Sequence, residues 1–143
     1  MYKLTIELVP DGCWNVNLRT AFPMLWDRIR KDAYARAKGR CMICGCAGRL
    51  EAHERWRYDE ENAVQTLETV VALCHACHEV KHIAPTQMRG RGDDAMEHFM
   101  RVNRCTQMEY HEALRIANEE QKRRNRIDSW QTDVTWLKEN YHV

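Results

Sequence analysis

Two pairs of cysteines carry the most specific chemical signal in the chain. Cys41-Met42-Ile43-Cys44 is one C-x-x-C and Cys74-His75-Ala76-Cys77 is another, with 29 residues between them. Each pair can turn two thiolates toward one ion. Two such knuckles supply four sulfurs, the donor set of a closed tetrahedral Zn²⁺ site with no open position for water. A redox C-x-x-C is the competing reading, and the repeated spacing favours a structural metal. Cys46 is a spare beside the first knuckle. Cys13 and Cys105 stand alone and read as small buried hydrophobes.

The histidines gather in the same segment. If Cys77 opens a helix, His78 and His82 are four apart and share one face. His53 lies in Arg49-Leu50-Glu51-Ala52-His53-Glu54, a short stretch with strand character. A zinc pinning Cys44 and Cys74 brings that strand beside the helix. His53, Glu54, His78 and His82 are then expected to surround a second metal or a phosphate. The competing reading makes them surface histidines of a polar helix. His78-Glu79-Val80-Lys81-His82 also matches the H-E-x-x-H pattern of zinc proteases. That pattern needs a long core helix, whereas here a knuckle cysteine precedes the first His and Pro85 is expected to end the helix. Glu79 is therefore expected to face solvent and not a metal.

These groups need a scaffold. Tyr2, Leu4, Ile6 and Leu8 alternate with polar residues and predict a strand over residues 1–9, stopped by Pro10-Asp11-Gly12. Pro23, followed by Leu25, Trp26, Ile29, Ala33 and Ala37, predicts a helix to about Lys38, ended by Gly39. Residues 85–92 read as a loop, and helices are expected over 93–103 and 106–126, the second with a Thr106/Glu109 capping box. Trp130, Thr132, Val134 and Trp136 alternate and predict a final strand pairing with the first. The expectation is one α+β domain over 1–143. A zinc-stapled ββα core at 41–84 lies between an N-terminal strand and helix (1–40) and a helical C-terminal part (85–143).

Composition narrows the class. The chain has 143 residues, 44% apolar and 30% charged, which excludes a disordered tail, and no apolar run suits a membrane span. Lys3 and Glu7 interrupt the first apolar stretch, unlike a secretory signal, so a cytoplasmic setting is expected. The net charge of +1 hides an asymmetry: Arg28 to Arg57 holds nine Lys/Arg and three Asp/Glu, while Tyr58 to Val70 holds four acids and no base. Arg55, Arg57, Lys81, Arg89 and Arg91 are the candidate phosphate contacts. Trp56 and Tyr58 could stack on a base, although core packing is the favoured reading. The run Lys122 to Arg126 reads as a solvated helix end complementing the dipole.

The motif frame resembles the HNH endonucleases, the ββα-metal nucleases, in their zinc-knuckle form. The matching residues are Cys41-Met42-Ile43-Cys44-Gly45, Arg49 to Glu54, Leu73-Cys74-His75-Ala76-Cys77-His78 and Lys81-His82. Ala52 to Asp59, and Val9-Pro10, Cys13-Trp14 and Asn17-Leu18-Arg19, look like one bacterial and phage subgroup. The resemblance implies a ββα-metal fold and hydrolysis of phosphodiester bonds in nucleic acid, DNA more than RNA. It implies a structural Zn²⁺ and a catalytic divalent ion such as Mg²⁺, Mn²⁺ or Ni²⁺. By the same resemblance His53 and His78 hold the catalytic ion, His82 is a further ligand of it or a phosphate contact, and Glu54 stands where the general-base His usually does. A one-residue shift instead makes His53 the base, with Glu51 or Glu54 on the metal. Thr69 occupies the place of the family's central Asn. The rival expectation is a zinc module that keeps this scaffold, lacks hydrolysis, and binds nucleic acid or a protein. No membrane partner is expected; a homo-oligomer is compatible with the sequence.

Overall fold

The hairpin that carries His53 organises the molecule. In this computed structural model, which describes residues 1–14 and 16–143, β1 (Glu51–Asp59) and β2 (Val64–Leu73) pair antiparallel from Glu51↔Leu73 to Asp59↔Val64. A register shift between Arg55 and Trp56 leaves an extra residue on β2. β3 (Gln131–Asp133) adds to β2 in parallel, giving a mixed three-stranded sheet in the order β1-β2-β3.

Helices cover both faces. α1 (Leu18–Ala21) leads into α2 (Pro23–Ala37), which has Pro23 in its first turn and ends on Lys38 in the left-handed conformation. α2 lays Ile29, Ala33 and Ala37 against Leu67, Val70 and Ala72 of the sheet. On the other side, α3 (His75–Lys81), α4 (Ile83–Met88), α5 (Gly92–Asn103) and α6 (Gln107–Arg124) enclose Val80, Ile83, Phe99 and Tyr110. α7 (Thr135–Tyr141) returns to the first face with Leu137 and Tyr141. The α+β expectation holds, as do the helix from Pro23 and the Thr106/Glu109 capping box.

The paired terminal strands do not form. Residues 1–9 lie over α3 and α5 without sheet hydrogen bonds, their backbone held at Leu4 by Asn103, whose side chain accepts from Leu4 N at 2.9 Å and donates to Leu4 O at 2.8 Å. The alternation does sort the faces, since Tyr2, Leu4, Ile6 and Leu8 all meet the core. What it could not supply was a free strand edge in the right place. At the other end only Gln131–Asp133 is extended, and it pairs with β2. Asp133 then accepts from Thr135 N at 2.9 Å and turns the chain into α7. Leu137 and Tyr141, four apart, are the buried pair, which is a helical period.

The 85–92 loop is also corrected. Pro85 sits in the first turn of α4, where a backbone N–H has no intrahelical acceptor to lose. No helix among the described residues is long and apolar enough to cross a membrane.

Candidate metal centre

The first knuckle is a tight loop. Cys41 N donates to Cys46 O at 3.0 Å, Gly45 N to Cys41 O at 2.9 Å, and Gly45 has φ +77°, a conformation that favours glycine. Met42 N donates to Ala72 O at 3.0 Å and ties this loop to β2. The second knuckle opens α3, where Cys74 Sγ accepts from Cys77 N at 3.4 Å and caps the helix. The sulfurs of Cys41, Cys44, Cys74 and Cys77 all lie within 4.8 Å of one another, and Cys44 Sγ is 3.7 Å from Cys74 Sγ. Four sulfurs held about 2.3 Å from one zinc lie roughly 3.8 Å apart, so the cluster has the dimensions of a zinc site. Burial first, and then the neighbouring sulfurs, push Cys74 up to about 11 and Cys77 well above the usual thiol range. All four can be thiolates together only beside a cation, which makes the cluster a candidate zinc site.

His98 on α5 adds a contact that spacing did not reveal. Its Nε2 lies 3.2 Å from Cys77 Sγ, and its Nδ1 lies 3.4 Å from Arg101 Nη2. Arginine only donates, so Nδ1 accepts and the ring proton sits on Nε2, aimed at the sulfur. The only sequence signal is that His98 shares the buried helix face of Ala95 and Phe99.

One turn beyond the cysteines the imidazoles converge. β1 supplies His53, α3 supplies His78, and His82 occupies the junction of α3 and α4. One ring nitrogen from each of the three lies within 4.8 Å of the others. Ring centroids are 4.6 Å apart for His78–His82 and 5.4 Å for each pair with His53. His53 is only 7% exposed, and its Nε2 is buried with no hydrogen-bond partner. Such an atom costs free energy unless something binds it.

Glu51 orients the set. Its Oε1 meets His78 Nδ1 at 2.8 Å and its Oε2 meets His75 Nδ1 at 3.0 Å. A carboxylate only accepts, so His78 carries its proton on Nδ1 and leaves Nε2 as a lone pair. Burial lowers the pKa of His78 against the pull of Glu51. The low-dielectric wall around its ring, and then His78 and His53, hold His82 down to about 4, although one edge of the residue is open to solvent.

The other candidates divide. Glu54 lines the cavity of about 720 Å³ that also borders His53, His78 and His82. Its Oε1 accepts from Leu18 N at 2.8 Å, and burial pushes its pKa up. Lys81 is not a free phosphate contact: it is buried, with Nζ 2.8 Å from Glu7 Oε1 and 2.7 Å from Thr5 Oγ1. Arg91 is likewise engaged, reaching Glu79 at 2.5 and 3.1 Å. Glu79 therefore does not point to solvent; it is buried against Arg91, with its Oε2 3.6 Å from His75 Nε2, and it is not among the converging ligand atoms of His53, His78 and His82. Arg55, Arg57 and Arg89 remain exposed, Arg55 with Glu68 at 3.7 Å. Trp56 packs against the second core and also walls the cavity, and Tyr58 meets Trp130 edge to face. Glu7 was missed altogether, because a lone carboxylate on a strand-like segment has no motif spacing to betray it.

No family model, curated protein or solved structure matches the chain.

Proposed function

We propose that the chain is a metal-dependent endonuclease of the HNH type, hydrolysing phosphodiester bonds in nucleic acid, DNA in preference to RNA. The observation that carries this reading is the convergence of His53, His78 and His82 at the foot of a hairpin and helix stapled by four clustered cysteines. Cys41, Cys44, Cys74 and Cys77 would hold a structural Zn²⁺. His53, His78 and His82 would hold a divalent ion. Three imidazoles suit Ni²⁺ or Zn²⁺ best, Mn²⁺ less and Mg²⁺ least, since the last two prefer oxygen donors. When bound, that ion would supply charge relief to the phosphate and the leaving oxygen.

The remaining work falls to the chain. Glu54 borders the cavity and would take a proton from an attacking water. Burial moves its carboxyl toward the range a base needs, and Leu18 N fixes its direction. Glu51 keeps the His78 lone pair facing inward. Trp14, Trp26 and Trp56 line the same cavity and offer flat apolar surface for sugar and base. Arg55, Arg57 and Arg89 are the exposed cations for the flanking phosphates.

Plasmid nicking by purified protein across Mg²⁺, Mn²⁺, Ni²⁺ and EDTA tests the proposal. Cleavage with Ni²⁺ or Mn²⁺, abolished by EDTA and by His53→Ala, is the expected result. A specific observation favours a second reading, a silent zinc module: no imidazole stands next to His53 on β1, and Glu54 is anchored to Leu18 N. Salt-dependent nucleic-acid binding without cleavage under any metal would replace the first reading with the second.

A further inference from the structure

Glu7 stands at the mouth of the histidine cluster, on a segment with no part in the motif frame. One carboxylate oxygen, Oε1, accepts from Lys81 Nζ at 2.8 Å and from Thr5 Oγ1 at 3.1 Å. The other, Oε2, lies 3.9 Å from His53 Nε2, the buried nitrogen that has no partner. That separation is too long for a hydrogen bond. It is close to the spacing of two donors on one ion, since ligands at about 2.0–2.2 Å from a metal lie roughly 3–3.5 Å apart. Lys81 and Thr5 thus hold Oε1 and leave Oε2 facing His53, the usual arrangement of a ligating carboxylate fixed by outer partners.

We infer that Glu7 is a fourth protein ligand of the divalent ion at His53, His78 and His82, and that metal binding clasps the N-terminal segment to the site. This rests on the histidine cluster being a metal site, but not on the chain being a nuclease. Three imidazoles and one carboxylate form a mixed set that suits Ni²⁺, Mn²⁺ or Zn²⁺. The carboxylate also offsets part of the positive charge of the ion, while Lys81 keeps Oε1 in place.

The test uses the full zinc-loaded chain. Ni²⁺ and Mn²⁺ are titrated calorimetrically into wild type, Glu7→Gln, Lys81→Met and His78→Ala, with zinc content and circular dichroism as controls for folding. Glu7 is half exposed, so Glu7→Gln should fold. Glu7→Gln should weaken the second metal at least tenfold, Lys81→Met less, and His78→Ala should abolish it. Amide exchange over residues 4–8 should slow when metal is added to wild type and not in Glu7→Gln. Wild-type affinity and wild-type exchange in Glu7→Gln would overturn the inference, as would a wild type that binds no second metal. If the metal data hold while plasmid nicking fails, the nuclease proposal falls and Glu7 remains a ligand.

Discussion

A single imidazole is ambiguous; its second nitrogen decides what it does. His78 has Nδ1 occupied by Glu51 and Nε2 free, His98 has Nδ1 occupied by Arg101 and Nε2 on a sulfur, and His53 has Nε2 buried and unpartnered. Three roles follow from one residue type. His53→Ala and His78→Ala should each abolish metal-dependent nicking while leaving one tightly held zinc per chain, measured by elemental analysis. His98→Ala should leave the zinc bound but make it easier to remove. The Cys77 thiolate loses its only observed side-chain donor outside the cluster, so zinc transfer to a chromophoric chelator should run faster than in wild type. Unchanged transfer would show that the 3.2 Å contact carries no weight. The H-E-x-x-H pattern illustrates the same point from the other side. Its glutamate is engaged by Arg91 and stands outside the cluster of His53, His78 and His82, so the match is a coincidence of spacing.

At the scale of elements, α3 opens on the four-cysteine cluster, and Met42 N ties the first knuckle to β2. α3 is only seven residues long, too short to persist on propensity alone, and its first turn is built on Cys74. Cys77→Ser should therefore unfold the middle of the chain, seen as lost helical ellipticity together with lost zinc, and not merely reduce activity. α7 is held differently, by apolar burial. Leu137 is fully buried against the sheet, and Leu137→Ala should cost about 2–5 kcal/mol in urea denaturation. A loss near zero would restore the final strand that alternation predicts for this segment, in which Leu137 lies on the face opposite Trp130, Val134 and Trp136. The hairpin is also tied to α6 through Glu60, which meets Arg123 at 2.6 Å and Arg124 at 3.2 Å. Arg123 and then Arg124 outweigh the opposing desolvation and hold the Glu60 carboxyl down to about 2. A depressed carboxylate stabilises the fold above its unfolded pKa and loses that effect as pH falls toward 2. Glu60→Gln should accordingly melt slightly below wild type at pH 7, and the difference should close as the pH drops from about 4 toward 2.

For the whole molecule, the decisive fact is where the two ends of the chain go. Residues 1–9 reach the histidine cluster and residues 131–141 cover the opposite face of the sheet, so neither end is an appendage. The four-cysteine cluster, the hairpin-and-helix order and the pairing of His78 with His82 were legible in the sequence. Each follows from short-range rules: two thiols three apart make a knuckle, and residues four apart share a helix face. The amphipathic spacing after Pro23 and the Thr106/Glu109 box were legible for the same reason. Partner choice was not. Tyr2 to Leu8 and Trp130 to Trp136 alternate alike, yet one is bound by an asparagine side chain and the other turns helical after three extended residues. Alternation reports which face is apolar and not what satisfies the backbone. Nor could spacing show that Lys81 and Arg91 are neutralised by Glu7 and Glu79, or that Glu7 lies beside His53 across 45 intervening positions of sequence. Charge pairing between distant segments depends on how helices pack, and only the tertiary structure decides it.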